Sequence, residues 1–172
     1  MTDLIELDFD LDELTPALAR VIAKLGDTTE LMQDIGELMV NSTKQNFAEG
    51  TDPDGDAWAP KSMATLEAYR RREGKKANAS VPSRPLIGVT RMLSTTISYE
   101  AQNGSVEWGS NQIQAAVMQF GAKKGAFGTA SNGSSIPWGN IPARPFLGFG
   151  EADKTAIQET IEDYLQQASD GR

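Results

Sequence analysis

The chain contains no cysteine and no histidine. The absence of cysteine excludes disulfide bonds, thiolate metal ligands and cysteine nucleophiles. The absence of histidine removes the commonest general base in enzymes, and with it every catalytic triad built on imidazole. Carboxylates or lysines alone can still support catalysis, so the two absences lower the expectation of an enzyme without removing it.

Long apolar runs and positive charge are also scarce. No stretch approaches the run of about 18 apolar residues that a membrane span requires, and the first residues, Met-Thr-Asp, lack the basic region of a signal peptide. We therefore expect no membrane partner and a protein made and kept in a cytoplasm. Lys and Arg number 16 against 24 Asp and Glu, giving a net charge of −8. Such a chain is a poor general nucleic-acid binder, because phosphate contacts need clustered cations.

Length and composition predict one domain. The chain has 172 residues, of which 39% are hydrophobic, enough for one domain with a core. We predict a single domain over 1–172, with flexible loops at about 74–85 and 122–135. The second loop is rich in glycine and small polar residues, a composition typical of mobile segments.

Apolar periodicity predicts the secondary structure. Residues 4–11 alternate apolar and acidic side chains, as a strand with one buried face does. Helical spacing follows up to Gly26, and again from a cap at Thr28 or Thr29 to Gly50. Further helices are predicted after Ser62, over 113–120 and over 151–167. Strand propensity over 95–109, with Asn-Gly at 103–104, predicts a hairpin.

These elements predict the α+β fold class. The small antiparallel sheet would contain the N-terminal strand and the 95–109 hairpin, with a possible edge strand near 146–149. It would pack against two long N-terminal helices and a C-terminal helix.

Alternating aspartates at 52, 54 and 56 resemble the first half of a calcium loop. The match then fails, because an EF-hand loop has Gly at its sixth position and a bidentate Glu at its twelfth. Here Gly55 is fourth and Met63 is twelfth. Pro-Asp-Gly at 53–55 is itself a turn sequence. The segment is therefore interpreted as a turn packed down by Trp58, and no metal or other cofactor is predicted.

Apolar anchors flank the glycine-rich loop. Met-Gln-Phe-Gly at 118–121 precedes it, and Ile-Pro-Trp at 136–138 with the segment 141–148 re-anchors the chain after it. The glycine-rich loop, which cannot form a core, is thereby held between two apolar segments that can. This arrangement is typical of a scaffold that presents a loop to a neighbouring protein.

The main basic cluster follows Tyr69. It is either the solvated end of a helix, where cations suit the dipole, or a contact for an acidic partner or passing DNA. No aromatic platform is interleaved with it, which favours the solvated end. The cluster consists of Arg70, Arg71, Arg72, Lys75 and Lys76.

Four short motifs follow one another along the chain. They are Phe47 with Asp-Gly-Asp-Ala-Trp-Ala-Pro at 54–60, Leu86 with Thr90 and Leu93, Met-Gln-Phe-Gly at 118–121, and Ile-Pro-Ala-Arg-Pro-Phe-Leu-Gly at 141–148. In this order they resemble the tail-completion or virion morphogenesis family of tailed phages, including Mu-like phages and prophages. The resemblance spans about residues 1–167, and the motifs are modest singly but specific together.

The resemblance implies a structural role without catalysis at the neck or upper tail of the virion, in tail completion and head-tail joining. It implies a partner in the chain itself, as a six- or twelvefold ring, and partners in neighbouring neck and tail proteins. DNA would be cargo passing through the lumen. The location would be the virion, and the host cytoplasm during assembly. A head-side connector or a capsid assembly factor is the alternative within this class.

Candidate contact residues follow from the loop, the basic cluster and the 141–148 motif. Arg144, fixed between Ala143 and Pro145, is expected to pair with a carboxylate, within the subunit or across an interface. The candidates for oligomer or partner contact are Arg70, Arg71, Arg72, Lys75, Lys76, Lys123, Lys124, Phe127 and Arg144; no catalytic, cofactor or metal residue is predicted.

Two hypotheses of other classes remain. A nucleic-acid-binding module would use the basic cluster and the loop lysines, and would bind DNA with a strong salt dependence. A carboxylate-dependent hydrolase would need a pocket holding two close carboxylates.

Overall fold

The computed structural model describes residues 11–73 and 83–170, and confirms the predicted α+β class. The predicted strand at 4–11 lies outside the described residues except for Leu11, which begins the first helix. The helices are α1 (Leu11–Gly26), α2 (Thr29–Glu49), α3 (Met63–Glu73), α4 (Met92–Thr95), α5 (Ala115–Phe120) and α6 (Glu151–Asp170), and the strands are β1 (Ile97–Gln102) and β2 (Ser105–Ser110).

The boundaries of the long helices follow local signals. The predicted second helix is confirmed, and it ends at Gly50, which has a φ of 83° that glycine adopts without steric cost. The predicted cap of α3 is confirmed too, because the Thr65 N–H donates to the Ser62 hydroxyl at 3.2 Å. Among the described helices, none combines the length and the apolar composition that crossing a membrane requires.

The predicted hairpin is confirmed as an antiparallel pair. β1 and β2 pair with Tyr99 opposite Trp108, and they form the two-stranded sheet of the described residues. Residues 146–149 do not form the expected edge strand. Pro145 has no N–H to give to a ladder, and the next two N–H groups, of Phe146 and Leu147, donate to the Gln119 side chain.

Helix α2 packs on the sheet through a glycine. A Cβ at Gly36 would lie 2.4 Å from Cδ2 of Tyr99, so the aromatic ring of β1 sits directly on the helix backbone. Any larger residue would have to displace the ring, and overpacking of this kind costs about 1 to 3 kcal/mol.

The helices α1 and α2 follow each other in the same direction along α6. Arg20 of α1 donates to the Ser169 carbonyl at 2.7 Å. The Tyr164 hydroxyl donates to the carbonyls of Lys24 and Asp27 at 3.0 and 3.1 Å, at the junction between α1 and α2. Ile157, about two turns before Tyr164 in α6, packs against the cluster that α2 contributes to. The N-terminal end of α1 therefore points away from the C-terminal end of α2.

Two apolar clusters form the core. Trp108 of β2 packs against both, so the sheet joins them. The first cluster lies at the C-terminal half of α2 and the second at its N-terminal half. Their buried members are Val40, Phe47, Trp58, Leu93, Ile97 and Phe146 in the first, and Leu31, Ile35, Met39 and Tyr164 in the second.

Candidate interaction surface

The aspartate segment after α2 is a turn, as predicted. The Asp52 carboxylate accepts the N–H groups of Asp54 and Asp56 at 3.0 and 2.9 Å, and the Gly55 N–H donates to the Asp52 carbonyl at 3.0 Å. Asp52 thus holds the turn by hydrogen-bonding its own backbone two and four residues on, which is the usual function of aspartate in such turns.

Trp58 holds this turn on the core, which confirms the predicted anchor. The indole is 6% exposed, and its ring packs edge-on against Phe47 with 5.4 Å between centroids. Its N–H donates to the Pro145 carbonyl at 2.6 Å. Phe146 beside it is fully buried, and burying one such side chain stabilises a fold by about 1.5 to 3 kcal/mol.

Arg144 does not pair with a carboxylate within the described residues. Its Nε donates to the Ala59 carbonyl at 2.7 Å and one terminal nitrogen donates to the Pro60 carbonyl at 3.0 Å. The side chain is buried, and burial lowers the pKa of the guanidinium. The Ala59 and Pro60 carbonyls lie in an irregular segment that cannot supply hydrogen-bond donors itself. This explains why the Arg144 guanidinium donates to backbone carbonyls rather than pairing with a carboxylate.

Gln119, rather than Phe120, anchors the start of the glycine-rich loop. Its amide oxygen accepts the N–H groups of Phe146 and Leu147 at 2.9 and 3.1 Å, and its amide nitrogen donates to the Leu147 carbonyl at 2.8 Å. Phe120 is 79% exposed. The expected apolar anchor is therefore wrong at Phe120, because the side-chain amide satisfies a backbone that has no strand partner.

The four motifs that carry the resemblance meet at this junction. The Trp58 indole N–H donates to the Pro145 carbonyl, and the Gln119 amide oxygen accepts the Phe146 N–H. Leu93 packs in the same cluster as the Trp58 and Phe146 rings. Segments far apart in sequence thus form one structural unit around residues 144–147. The motifs are explained as packing and backbone hydrogen bonding, with no chemistry assigned to them.

The loop at 122–135 is joined to the returning chain by backbone hydrogen bonds. Ala122 pairs with Ile141 at 2.9 and 2.8 Å, and the Phe127 N–H donates to the Ile136 carbonyl at 2.7 Å. Gly121 turns the chain into this pairing with a φ of 72°, and a Cβ there would lie 2.7 Å from the Ile141 carbonyl oxygen. The mobility of the loop stays a prediction.

An open groove of about 610 Å³ lies above the junction. Segments on four sides line it: α3, the chain at 86–93, α5 and the chain at 137–144. The lining is mainly apolar, and its described residues include three cations and no Asp or Glu. This composition is unusual in a chain with a net charge of −8. The cations are Lys61, Arg91 and Arg144.

Lys61 lies at the base of one wall of the groove. Its ammonium donates to the Ile87 carbonyl at 2.5 Å and lies 4.9 Å from the centre of the Tyr69 ring. Burial, and then the charge of Arg144, lower the pKa of Lys61. Lys61 and Arg144 thus both contribute positive charge to the groove.

Exposed apolar side chains continue the groove outward. Trp138 is 66% exposed and Met92 is 47% exposed, so the expectation that Ile-Pro-Trp re-anchors the chain is wrong for the tryptophan. No sequence motif predicts the groove, because it is assembled from four separate segments and none of them has a recognisable motif of its own.

The candidate contact residues fall around this groove where they are described. Arg70 and Arg71 are exposed on α3, which forms one wall. Lys123, Lys124 and Phe127 are exposed in the loop that pairs with the opposite wall. Arg72 lies in α3, but only its backbone is among the parts that the structure describes. Lys75 and Lys76 lie outside the described residues. Arg144 is buried at the base. Whether these residues contact a partner stays a prediction.

Further exposed apolar side chains lie on α1 and α6, and together they are called the α1–α6 face. Leu18, Ile22 and Leu25 are 52%, 70% and 53% exposed, and their spacing places them on one face of α1. Ile161 and Leu165 of α6 are each 37% exposed. This α1–α6 face lies around the N-terminal end of α2, whereas the groove lies beside its C-terminal half.

The groove also bears on the hydrolase hypothesis, which requires a pocket with two close carboxylates. The described lining contains none. Asp153 is the buried carboxylate of the described residues, and it accepts the Gly150 N–H at 2.9 Å at the start of α6. That position caps a helix, and it offers no second acid.

Comparison with known proteins identifies the class to which the chain belongs. A model of the phage virion morphogenesis family matches residues 9–166, so the chain belongs to that family and has a role in the structure or morphogenesis of a phage virion. The resemblance of the four motifs is thereby confirmed.

The chain is also similar to a protein of a Mu-like prophage. It is 31% identical to "Mu-like prophage FluMu G protein 2" of Haemophilus influenzae over 164 residues, which cover 95% of this chain and 97% of that protein. No solved structure matches the chain. Membership in a virion morphogenesis family suggests a structural rather than a catalytic protein.

Proposed function

We propose that the protein is a ring-forming subunit of the virion neck or upper tail, needed for tail completion and head-tail joining, and that it works without catalysis. The observation that carries this proposal is the presence of two different exposed apolar surfaces at opposite ends of α2, the groove and the α1–α6 face. Exposed apolar patches on a protein commonly mark interaction sites.

Two different patches favour a head-to-tail interface. A twofold dimer uses the same patch on both subunits, whereas a heterologous interface joins one patch to a different one and closes into a ring when the rotation allows it. A groove on one end and a convex helix face on the other are suited to such an arrangement. The six- or twelvefold order belongs to the proposal, since neither surface selects it.

The charges are compatible with a DNA passage. A net charge of −8 disfavours adhesion of DNA to an acidic lumen. The exposed cations Arg70, Arg71, Lys123 and Lys124 are then contacts for neighbouring neck and tail proteins rather than for DNA. The protein would assemble in the host cytoplasm and remain in the virion.

Electron microscopy of phage lacking this protein tests the proposal. Free filled heads beside free tails would support a joining role. Normal, infectious particles would contradict it. The images also separate the alternatives within the class: overlong or unfinished tails indicate tail capping, whereas empty or misassembled heads indicate a head-side connector or a capsid assembly factor.

The nucleic-acid-binding hypothesis makes a different prediction. If Arg70, Arg71 and the loop lysines bind DNA, affinity falls steeply with salt concentration, because each neutralised phosphate releases counterions. Titration of duplex DNA at two salt concentrations separates the two functions, since a structural ring subunit shows no such binding.

A further inference from the structure

Charge is distributed unevenly along the chain. Residues 57–150 carry 11 Lys and Arg against 4 Asp and Glu, whereas the remaining residues carry 5 against 20. The first group contains the four segments that line the groove, and the second contains the acidic helices α2 and α6. The groove is therefore built from a basic part of the chain, and α6 belongs to an acidic part.

A carboxylate of α6 adjoins the exposed apolar side chains of the α1–α6 face. Ile161 and Glu162 are exposed four and three residues before Leu165, which places both beside Leu165 on the helix surface. Glu162 accepts the Gln158 side-chain amide at 2.8 Å, and a carboxylate has room for further donors. Tyr164 binds the α1–α2 junction, so this acidic margin lies at the end of α2 that is away from the groove.

Arg91 lines the groove with a backbone conformation that a side chain disfavours. Its φ is 55°, in the left-handed region that glycine adopts without steric cost. The Arg91 carbonyl accepts the N–H groups of Ser94 and Thr95 at 3.1 and 3.2 Å, and glycine at this position would allow the same bonds. The turn therefore explains the backbone of residue 91 but not its side chain.

The Arg91 guanidinium is presented to a partner. Among the cations of the lining, Arg91 is exposed, Lys61 is half-buried and Arg144 is buried. Within residues 11–73 and 83–170, the Arg91 side chain makes no hydrogen bond or ion pair. Strained residues that a fold does not require are concentrated at functional positions, and a guanidinium is suited to bind a carboxylate.

We propose that the α1–α6 face of one copy of the chain docks on the groove side of a second copy, with Arg91 paired to Glu162 of its neighbour. A second copy is favoured as the partner because the chain itself carries, at the other end of α2, an exposed apolar surface with the opposite charge at its margin. The exposed apolar side chains of the two surfaces, Trp138 and Ile22 among them, then cover each other. The inference rests on the proposed head-to-tail ring and names its contact.

Charge exchange in the full-length protein tests this contact. Arg91→Glu and Glu162→Arg are each expected to weaken self-association by roughly tenfold or more, because like charges then face each other in the interface. Sedimentation velocity at low salt measures the oligomers. Both changes in one chain restore opposite charges and are expected to recover association. Mixing the two single variants is expected to recover it as well, since each variant offers the other an opposite charge.

Matched controls separate a specific pair from a general effect of charge. Lys44→Glu on α2 and Glu107→Arg on β2 change exposed residues outside both surfaces, and they alter the net charge by the same amounts. Both are expected to assemble like the wild type. Equal loss in the controls overturns the proposal, as does a loss that neither the mixture nor the double variant recovers.

Arg91→Gly separates the contact from the fold. Glycine removes the guanidinium and adopts the left-handed conformation without steric cost. We expect self-association to weaken by roughly tenfold or more, while the urea concentration at the midpoint of unfolding stays unchanged or rises. A lower midpoint with unchanged association would show that the side chain serves the fold, and it would overturn the proposal.

Failure of this inference is distinguishable from failure of the function. A wild type that stays monomeric at every concentration, or recovered species no larger than dimers, contradicts the head-to-tail contact. If rings form whatever residue stands at position 91, this contact fails and the ring survives. If phage lacking the protein make normal particles, the function fails whatever the association experiments show.

Discussion

Arg144 is best understood as the donor that a backbone segment lacks. Its guanidinium serves the carbonyls of Ala59 and Pro60, which follow the aspartate turn and have no helix or strand to supply donors. Lysine would offer a single ammonium point in place of a planar fork with five N–H groups. The residue therefore fixes the wall of the groove, whatever the groove binds.

Arg144→Met is expected to destabilise the monomer by about 2 to 3 kcal/mol, because two buried acceptors lose charged donors. Urea unfolding measures the change. Arg70→Met, at an exposed position of α3, is the matched control and should change the free energy of unfolding by less than about 0.5 kcal/mol. A partner contact would behave differently: Arg144→Met would then weaken association and leave monomer stability unchanged.

Asp27 links stability to pH at the junction of α1 and α2. Hydrogen bonds from the Thr29 side chain, and then from its N–H, hold the pKa of Asp27 below its usual value. A carboxyl whose pKa is lower in the folded chain than in the unfolded chain stabilises the fold at any pH above its unfolded pKa. This contribution is lost as the pH falls through the pKa of the folded chain. The group is exposed, so the contribution is small.

Asp27→Asn keeps an oxygen acceptor but does not titrate. We expect the stability advantage of the wild type over Asp27→Asn to be constant above the ordinary carboxyl pKa of about 4, and to shrink as the pH falls below it through the lowered pKa of Asp27. Urea unfolding at a series of pH values measures it. Thr29→Val, which removes the hydroxyl donor, should reduce the pH dependence. An advantage that does not vary with pH would contradict this assignment.

At the scale of elements, the sequence predicts best where one segment decides its own structure. The hairpin follows from Asn-Gly between alternating strands, and the end of α2 follows from Gly50, because these signals are local. The groove was not predicted, since its walls come from α3, α5 and two loops that share no periodicity. Phe120 and Trp138 were expected to be buried because they are apolar, but apolar atoms also supply much of a folded surface.

The loop at 122–135 is an element attached to the fold rather than part of its core. Neither buried cluster contains a residue from 125–134, and the pairing of Ala122 with Ile141 lies outside that range. Its exposed Phe127 and the neighbouring lysines face outward. The loop is thus suited to contact a neighbour without contributing to the stability of the subunit.

Deleting Gly125 to Ser134 is therefore expected to spare the fold and block assembly. Thermal unfolding should change little, because the lost hydrogen bonds are mostly at the surface and each contributes only about 0.5 to 1.5 kcal/mol. Complementation of phage lacking the protein measures assembly. Thr129→Ala with Ser131→Ala, which keeps the loop and its lysines, is the control and should complement. Loss of folding on deletion would contradict this division of roles.

At the scale of the whole molecule, the two exposed apolar surfaces lie at different ends of α2. The α1–α6 face lies at one end and the groove lies beside the other end of α2. Because a head-to-tail interface joins two different patches, two described faces that differ in composition favour the proposed head-to-tail arrangement. In the proposed ring each subunit would add the next copy in one direction, and closure would depend on the angle between neighbouring subunits.

The α1–α6 face offers the last test of this directional assembly. Ile22 is 70% exposed, so Ile22→Lys removes little packing within the subunit and should change its stability by less than about 0.5 kcal/mol. In a ring the same change would bury an unpaired charge, which weakens association by roughly tenfold or more. Sedimentation velocity of the full-length protein measures the distribution of oligomers.

Ala23→Lys is the matched control for this experiment. It adds the same charge to the same helix, at an exposed position about 100° around the axis from Ile22. If only the face formed by Leu18, Ile22 and Leu25 meets a neighbour, Ala23→Lys assembles like the wild type and Ile22→Lys does not. Equal loss in both variants would indicate a general effect of charge, and equal assembly would remove this face from the interface. A loss confined to Ile22→Lys would assign the α1–α6 face to the head-to-tail contact.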